Sequence, residues 1–162
     1  MQPFMQECAN SSVHAVTLNA FRSLLGAHAR LLWQLDLQLN ERHGLSFADV
    51  EVMLHLQAAV GGELRLSELA QLALLSRSAL SRRVDSLVAQ GWVLRRSCPT
   101  DRRGTFAVLT ESGREKLKES VPTHDEVLTQ MLTNRLDVAE LDSLRAVLDR
   151  VVAHQEELRQ QA

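Results

Sequence analysis

Residues 64–109, LRLSELAQLALLSRSALSRRVDSLVAQGWVLRRSCPTDRRGTFAVL, decide the fold. They read as two short helices followed by a β-ribbon. Ser76 suits the N-cap of the second helix, its hydroxyl accepting a free backbone N–H of the first turn. Leu80, Val84, Leu87 and Val88 then fall on one apolar stripe. The opposite face carries Ser78, Arg82, Ser86 and Ala89. Small residues and one arginine make a face able to enter a groove about 12 Å wide, although a solvated side of an ordinary amphipathic helix reads the same way. Arg77 and Ser78 stand at the N-terminal end, where recognition helices meet base edges. Gly91 suits the left-handed position just past the helix.

The residues after this helix narrow the choice. Trp92 to Arg96 has strand character, and Thr105 to Leu109 returns as its partner. The loop between them begins Ser97-Cys98-Pro99 and ends at Gly104, with Asp101-Arg102-Arg103 at its tip. Leu64-Arg65-Leu66 is short enough to add a third strand. Ser67 is the predicted N-cap of the first helix, with Glu68 favourable at its positive end. The outline is a winged helix-turn-helix.

This stretch resembles the MarR (multiple antibiotic resistance regulator) family of dimeric winged-helix transcription factors. The resemblance is carried by Leu66-Ser67-Glu68-Leu69-Ala70, by Leu75-Ser76-Arg77-Ser78 through Val84-Asp85-Ser86-Leu87, and by Gly91-Trp92-Val93. It continues in Pro99-Thr100-Asp101-Arg102-Arg103-Gly104 and Leu109-Thr110-Glu111-Ser112-Gly113. It implies that Arg103 reaches a DNA minor groove, with Asp101 steadying the wing. Arginines are drawn to narrow A·T-rich minor grooves by their enhanced negative potential. The expected DNA-binding set is Ser76, Arg77, Ser78, Ser81, Arg82, Arg83, Arg96, Arg102 and Arg103. Of these, Arg82, Arg83 and Arg96 suit phosphates, while Asp85 suits a structural pairing with a nearby arginine. The resemblance also implies a homodimer on a pseudo-palindromic operator. A small effector, often an aromatic acid in that family, would bind between the DNA-binding lobe and the dimer helices.

Charge distribution agrees with this reading where net charge does not. The 162 residues balance to −2, yet residues 64–104 hold eight arginines against three acids, a local balance of +5. A basic segment between acidic flanks is the electrostatic footprint of a nucleic-acid face. No apolar run reaches membrane-spanning length, and the start has no signal-peptide pattern. Two cysteines make no disulfide framework, so a cytoplasmic setting is expected.

Outside the lobe, residues 1 to about 14 read as a loose tail and Ala15 to Leu39 as a helix. Leu24, His28, Leu31, Leu35 and Leu39 form one stripe of that helix, and Trp33 and Leu37 put apolar surface on another face. A helix apolar on two sides packs between layers or subunits. Ser46-Phe47-Ala48-Asp49 is a capping signal for a helix carrying Val50, Met53, Leu54 and Leu56. Thr110 caps a long helix, which Pro122 is expected to kink or break. From Asp137 a last helix carries Leu141, Leu144, Leu148, Val151, Gln155 and Leu158 at heptad-like spacing. The expected class is therefore mostly α with a small antiparallel β-wing, in one domain. Residues 46–110 form the DNA-binding lobe, and 1–45 and 111–162 the dimerisation helices.

No Gly-rich phosphate loop, Gly-x-Ser-x-Gly or His-Glu-x-x-His occurs, and the six histidines are scattered, so no enzyme, cofactor or metal site is expected. His28 reads as an interior histidine, and with Trp33 as a candidate for an effector pocket. Cys8 is a candidate redox thiol. A protein-binding winged helix, its basic face serving an acidic partner, is the alternative function.

Overall fold

The computed structural model describes residues 2–97 and 104–160, and side chains within 13–97 and 104–153. Helix α1 spans Gln2–His43, so the expected loose tail is helical from its start. Polarity without period does not prevent a helix. Residues 5–14 hold no glycine or proline, and Pro3 falls in the first turn, where its missing N–H has no partner to lose. Gly44 ends α1 at φ +67°.

Ser46 and Asp49 then form the expected reciprocal cap. The Asp49 N–H donates to Ser46 Oγ at 3.2 Å, and the Ser46 N–H to Asp49 Oδ2 at 2.9 Å. They open α2 (Phe47–Ala58), whose Val50, Val52, Met53 and Leu56 are buried. Strand β1 (Glu63–Arg65) leads into α3 (Leu66–Leu72). Here the cap differs from expectation. The helix starts two residues early, with Arg65 at the cap, so Ser67 lies inside it and Glu68 Oε2 accepts the N–H of Arg65 at 3.3 Å.

Helix α4 (Arg77–Ala89) is capped as predicted, the Ala79 N–H donating to Ser76 Oγ at 3.2 Å. Strands β2 (Val93–Ser97) and β3 (Thr105–Leu109) pair antiparallel, with Val93 opposite Leu109, and β1 joins on the far side of β3. Thr110 caps α5 (Glu111–Leu128) through the Gly113 N–H at 3.0 Å. Pro122 does not break α5. It removes one donor, but the carbonyl it orphans belongs to Lys118, an exposed residue that water can serve. Leu117, Ser120, Thr123 and Val127 hold the helix against the core on both sides of the proline. A π-helical turn, Thr129–Thr133, precedes α6 (Val138–Gln160).

One core unites the lobe: Leu35 and Leu39 of α1, Leu45, the buried face of α2, Leu69, Leu80, Val84, Leu87, Val93, Ala107, Leu109, Leu117 and Val127. The chain ends stand outside it. On α1, Val13, Val16, Phe21 and Trp33 are each more than half exposed, as are Val151 and Val152 on α6. Helix α6 makes only marginal contact with the other elements. Leu141 and Leu148 of the heptad-like seam are half-buried, and Leu144 is exposed. Gln155 and Leu158 lie outside the described side chains. No helix among the described residues is long and apolar enough to cross a membrane.

Candidate nucleic-acid interface

Helix α4 turns its apolar stripe inward and leaves Arg77, Ser78, Arg82, Ser86 and Ala89 exposed. Ser76 does double duty, capping the helix and meeting Ser78 Oγ at 3.2 Å. Among the described residues, no acid pairs with Arg77 or Arg82. Their charges are therefore available to an outside anion.

The neighbouring arginines are engaged within the lobe. Arg83, one position round the helix from Arg82, turns toward α2. Its Nη1 donates to Ser46 Oγ at 3.0 Å and lies 3.4 Å from Asp49 Oδ1. Asp49 is almost wholly buried, so Arg83 satisfies a carboxylate that would otherwise be costly inside the protein. Arg95 reaches from β2 to α4, where its Nη2 meets Asp85 Oδ1 at 2.8 Å and Ser81 Oγ at 3.0 Å. Asp85 thus has the structural pairing expected of it. Ser81 is half-buried and faces the wing. Arg96 Nε donates to Glu63 Oε2 at 3.2 Å, and its guanidinium lies 5.0 Å from the Phe106 ring centre. Arg65 covers the same ring at 5.4 Å. Arg83, Arg96 and Ser81, expected at the DNA face, are thus engaged within the lobe, while the Arg83 and Arg96 side chains stay 37% and 46% exposed. The ion pairs of Arg83, Arg95 and Arg96 join α4 to α2, α4 to β2, and β2 to β1, and so hold the helix and wing in one orientation. Asp101, Arg102, Arg103 and Cys98 lie outside the described residues.

The junction between α4 and the wing is bolted to α5. The Thr110 hydroxyl donates to the Gly91 carbonyl at 2.8 Å and lies 3.0 Å from that of Trp92. The Thr110 N–H also donates to Trp92 O at 3.1 Å, and Ser112 Oγ to Gly91 O at 3.0 Å. Gly113 packs so tightly here that a Cβ would stand 2.1 Å from Trp92 O. That contact explains why the turn into α5 needs glycine three residues after its capping threonine.

A second feature lies behind α4. A groove of about 430 Å³ runs between α1, α2 and the α3–α4 turn, lined by His28, Leu32, Phe47, Ala48, Glu51 and Leu72 to Leu75. His28 is exposed on its wall rather than interior. At this level α1 has left the lobe, so its stripe has no core to enter. Trp33 does not line the groove and is 65% exposed. Nearer the lobe, His43 and the Thr123 hydroxyl share a 2.8 Å hydrogen bond between α1 and α5. Burial lowers the His43 pKa from its ordinary value. The charges of Lys116 and Arg42 add to that shift, and Glu119 opposes it. Cys8 lies in α1, its side chain outside those described. Among the described residues no group of His, Cys, Asp or Glu can hold a metal ion.

The sequence profile of the MarR family matches residues 43–104. Sco3205, a MarR family transcriptional regulator from Streptomyces coelicolor solved in complex with DNA, superposes with a TM-score of 0.80. It is 35% identical, and the match covers 85% of this chain and 86% of that one. The chain belongs to the MarR family. AbsC, another MarR family regulator of Streptomyces coelicolor, is 31% identical, with a TM-score of 0.79 over 86% of this chain and 94% of that one. The HTH-type transcriptional regulator MhqR of Bacillus subtilis is 31% identical over 113 residues, 68% of this chain and 74% of that protein. All three of these relatives are named as transcriptional regulators.

Sequence reasoning missed the three arginine clamps, although Asp85 hinted at one. It also missed the groove apart from His28. One available signal was Leu74-Leu75 in the helix-turn-helix turn, where a glycine is the usual choice.

Proposed function

We propose that this MarR-family chain is a cytoplasmic homodimeric repressor. It binds a pseudo-palindromic operator in double-stranded DNA and is released by a small molecule. The observation that carries the reading is the outward face of α4. Ser78, Arg82 and Ser86 stand exposed on a helix of fixed orientation, while the arginines around them are committed to holding it. Arg77 and Ser78 meet base edges and Arg82 meets phosphate, with Arg102 and Arg103 of the wing tip reaching the adjacent groove. Residues 46–110 act as the DNA-binding lobe. The uncovered apolar faces at the two ends of the chain, in 1–45 and 111–162, supply the dimer contact. The groove behind the α3–α4 turn is the effector site.

Two recognition helices related by a two-fold axis require half-sites about 10 bp apart, centre to centre. The test is selection of genomic fragments by the purified protein, followed by anisotropy titration of the selected inverted repeat. Arg82→Ala should weaken binding evenly across sequences and reduce the slope of log K against log salt by about 1.8, one contact from each subunit. An unchanged slope would remove Arg82 from the phosphate contacts. Failure to retain any DNA would favour an acidic protein partner instead.

A further inference from the structure

We infer that the groove behind the α3–α4 turn takes a small aromatic cation rather than an aromatic acid. The inference rests on the reading of this groove as the effector site and specifies its ligand. Seven of the nine lining residues are apolar: Leu32, Phe47, Ala48, Leu72, Ala73, Leu74 and Leu75. Its volume falls within the range of small-molecule pockets. The remaining two are His28 and Glu51, and among the described residues no lysine or arginine joins the lining. Glu51 is partly exposed, and its Oε2 lies 3.9 Å from the His55 imidazole one turn along α2. A second carboxylate, outside the lining, is tied to its backbone. Asp36 Oδ1 accepts the backbone N–H of Phe47, itself a lining residue, at 2.7 Å. A ligand carboxylate would therefore enter an apolar slot beside a carboxylate of its own sign, with the His28 imidazole as its one side-chain donor and no guanidinium or ammonium among the described lining. An ammonium group would find Glu51, and its ring would lie against leucine and phenylalanine. Burying an unpaired anion is unfavourable, and pairing a cation offsets the same desolvation.

The groove wall is also the turn that launches the recognition helix. Leu74 is 92% exposed and has φ +53°, the one described non-glycine residue with positive φ. Its backbone closes α3 in a Schellman arrangement, with Leu74 N–H donating to Gln71 O at 3.2 Å and Leu75 N–H to Ala70 O at 3.0 Å. A large side chain in this conformation is unfavourable, and outliers of this kind gather at ligand clamps and switch regions. Here the strain sets an apolar side chain at the mouth of the groove, two residues before the Ser76 cap. A ligand seated on Leu74 touches the base of the DNA-reading helix.

The experiment compares two probes of the same ring and opposite charge, 2-naphthylmethylammonium and 2-naphthoate, by isothermal titration into the full chain at fixed salt. The cation should bind at least about tenfold more tightly. Glu51→Gln, checked for an unchanged melting curve, should narrow that preference by about fivefold, the scale of a partly exposed charge pair. Equal or tighter binding of the naphthoate would overturn the ligand class while leaving the groove as an effector site. A preference untouched by Glu51→Gln would overturn the role of that carboxylate. If neither probe binds, the groove is not a small-molecule site. DNA titration of the same samples without probe keeps that failure distinct from a failure of the operator reading.

Discussion

Gly113→Ala measures how tightly the recognition unit is bolted to α5. A Cβ at residue 113 stands 2.1 Å from Trp92 O, 2.8 Å from Leu109 Cδ1 and 3.0 Å from the Trp92 carbonyl carbon. An ordinary carbon–oxygen contact is about 3.3 Å, so roughly 1.2 Å of separation must be found. The oxygen cannot turn aside cheaply, because it accepts the Thr110 N–H at 3.1 Å. Overpacking of this kind costs about 1–3 kcal/mol, and a backbone partner puts it at the upper end. Alanine's better helix propensity returns about 0.5–1 kcal/mol. The net loss is then about 2 kcal/mol, a fall in Tm of about 4–8 °C for a chain of this length. Thermal melts followed by circular dichroism should be run at equal protein concentration, since the proposed dimerisation would make Tm depend on it. Gly26→Ala is the control. Its Cβ would meet only the flexible end of Arg30, at 3.0 Å, so Tm should hold or rise. A Gly113→Ala protein as stable as the parent would show that the junction is loose and that the rigid coupling of wing to α5 is mistaken.

Other perturbations test other parts. Leu148→Asp places a charge in the α6 seam, and light scattering should report monomer or aggregate; a stable dimer would move the interface elsewhere. Leu74→Gly relieves a left-handed conformation, worth about 1–2 kcal/mol, against the greater unfolded-state freedom of glycine, about 0.5–1 kcal/mol. Urea unfolding should show a small gain, and a clear loss would mean that the leucine packs more than its exposure indicates. Burial holds the folded pKa of His43 below its ordinary 6.5. Its contribution to stability is full above that value and fades as the pH falls below it, because the unfolded chain then binds the extra proton. Unfolding free energies of the parent and His43→Gln, measured from pH 7.5 down to 5, should converge toward acid, and parallel curves would discount the histidine.

Local chemistry was the legible part. Ser46, Ser76 and Thr110 cap the helices that their positions predict, because a cap depends on a hydroxyl and the next three residues. The apolar stripe Leu80-Val84-Leu87 and the strands at 93–97 and 105–109 come from periods of a few residues. What escaped depends on who sits opposite. Arg82 and Arg83 are indistinguishable as letters, yet 100° of helix rotation sends one to solvent and the other to Asp49. His28 looks interior on its stripe, but α1 has risen clear of the lobe there. Pro122 reads as a breaker, and buried neighbours on both sides carry the helix through it. The groove is made by three elements distant in sequence, so beyond His28 its one local signal was Leu74, sitting where glycine is usual.

Helix α6 touches the rest of its own chain only marginally, and this shapes what separation of the proposed dimer would mean. Most of a helix's stability in a protein comes from packing its apolar face rather than from propensity. Pulling the subunits apart would therefore release chains whose last helix melts, rather than two intact monomers. Subunit exchange would be slow and steeply temperature-dependent. Helicity itself would decline on dilution, so the far-ultraviolet signal would titrate with protein concentration. The dissociation constant would include a folding equilibrium, and newly made chains would finish their C-terminal helix only after meeting a second copy.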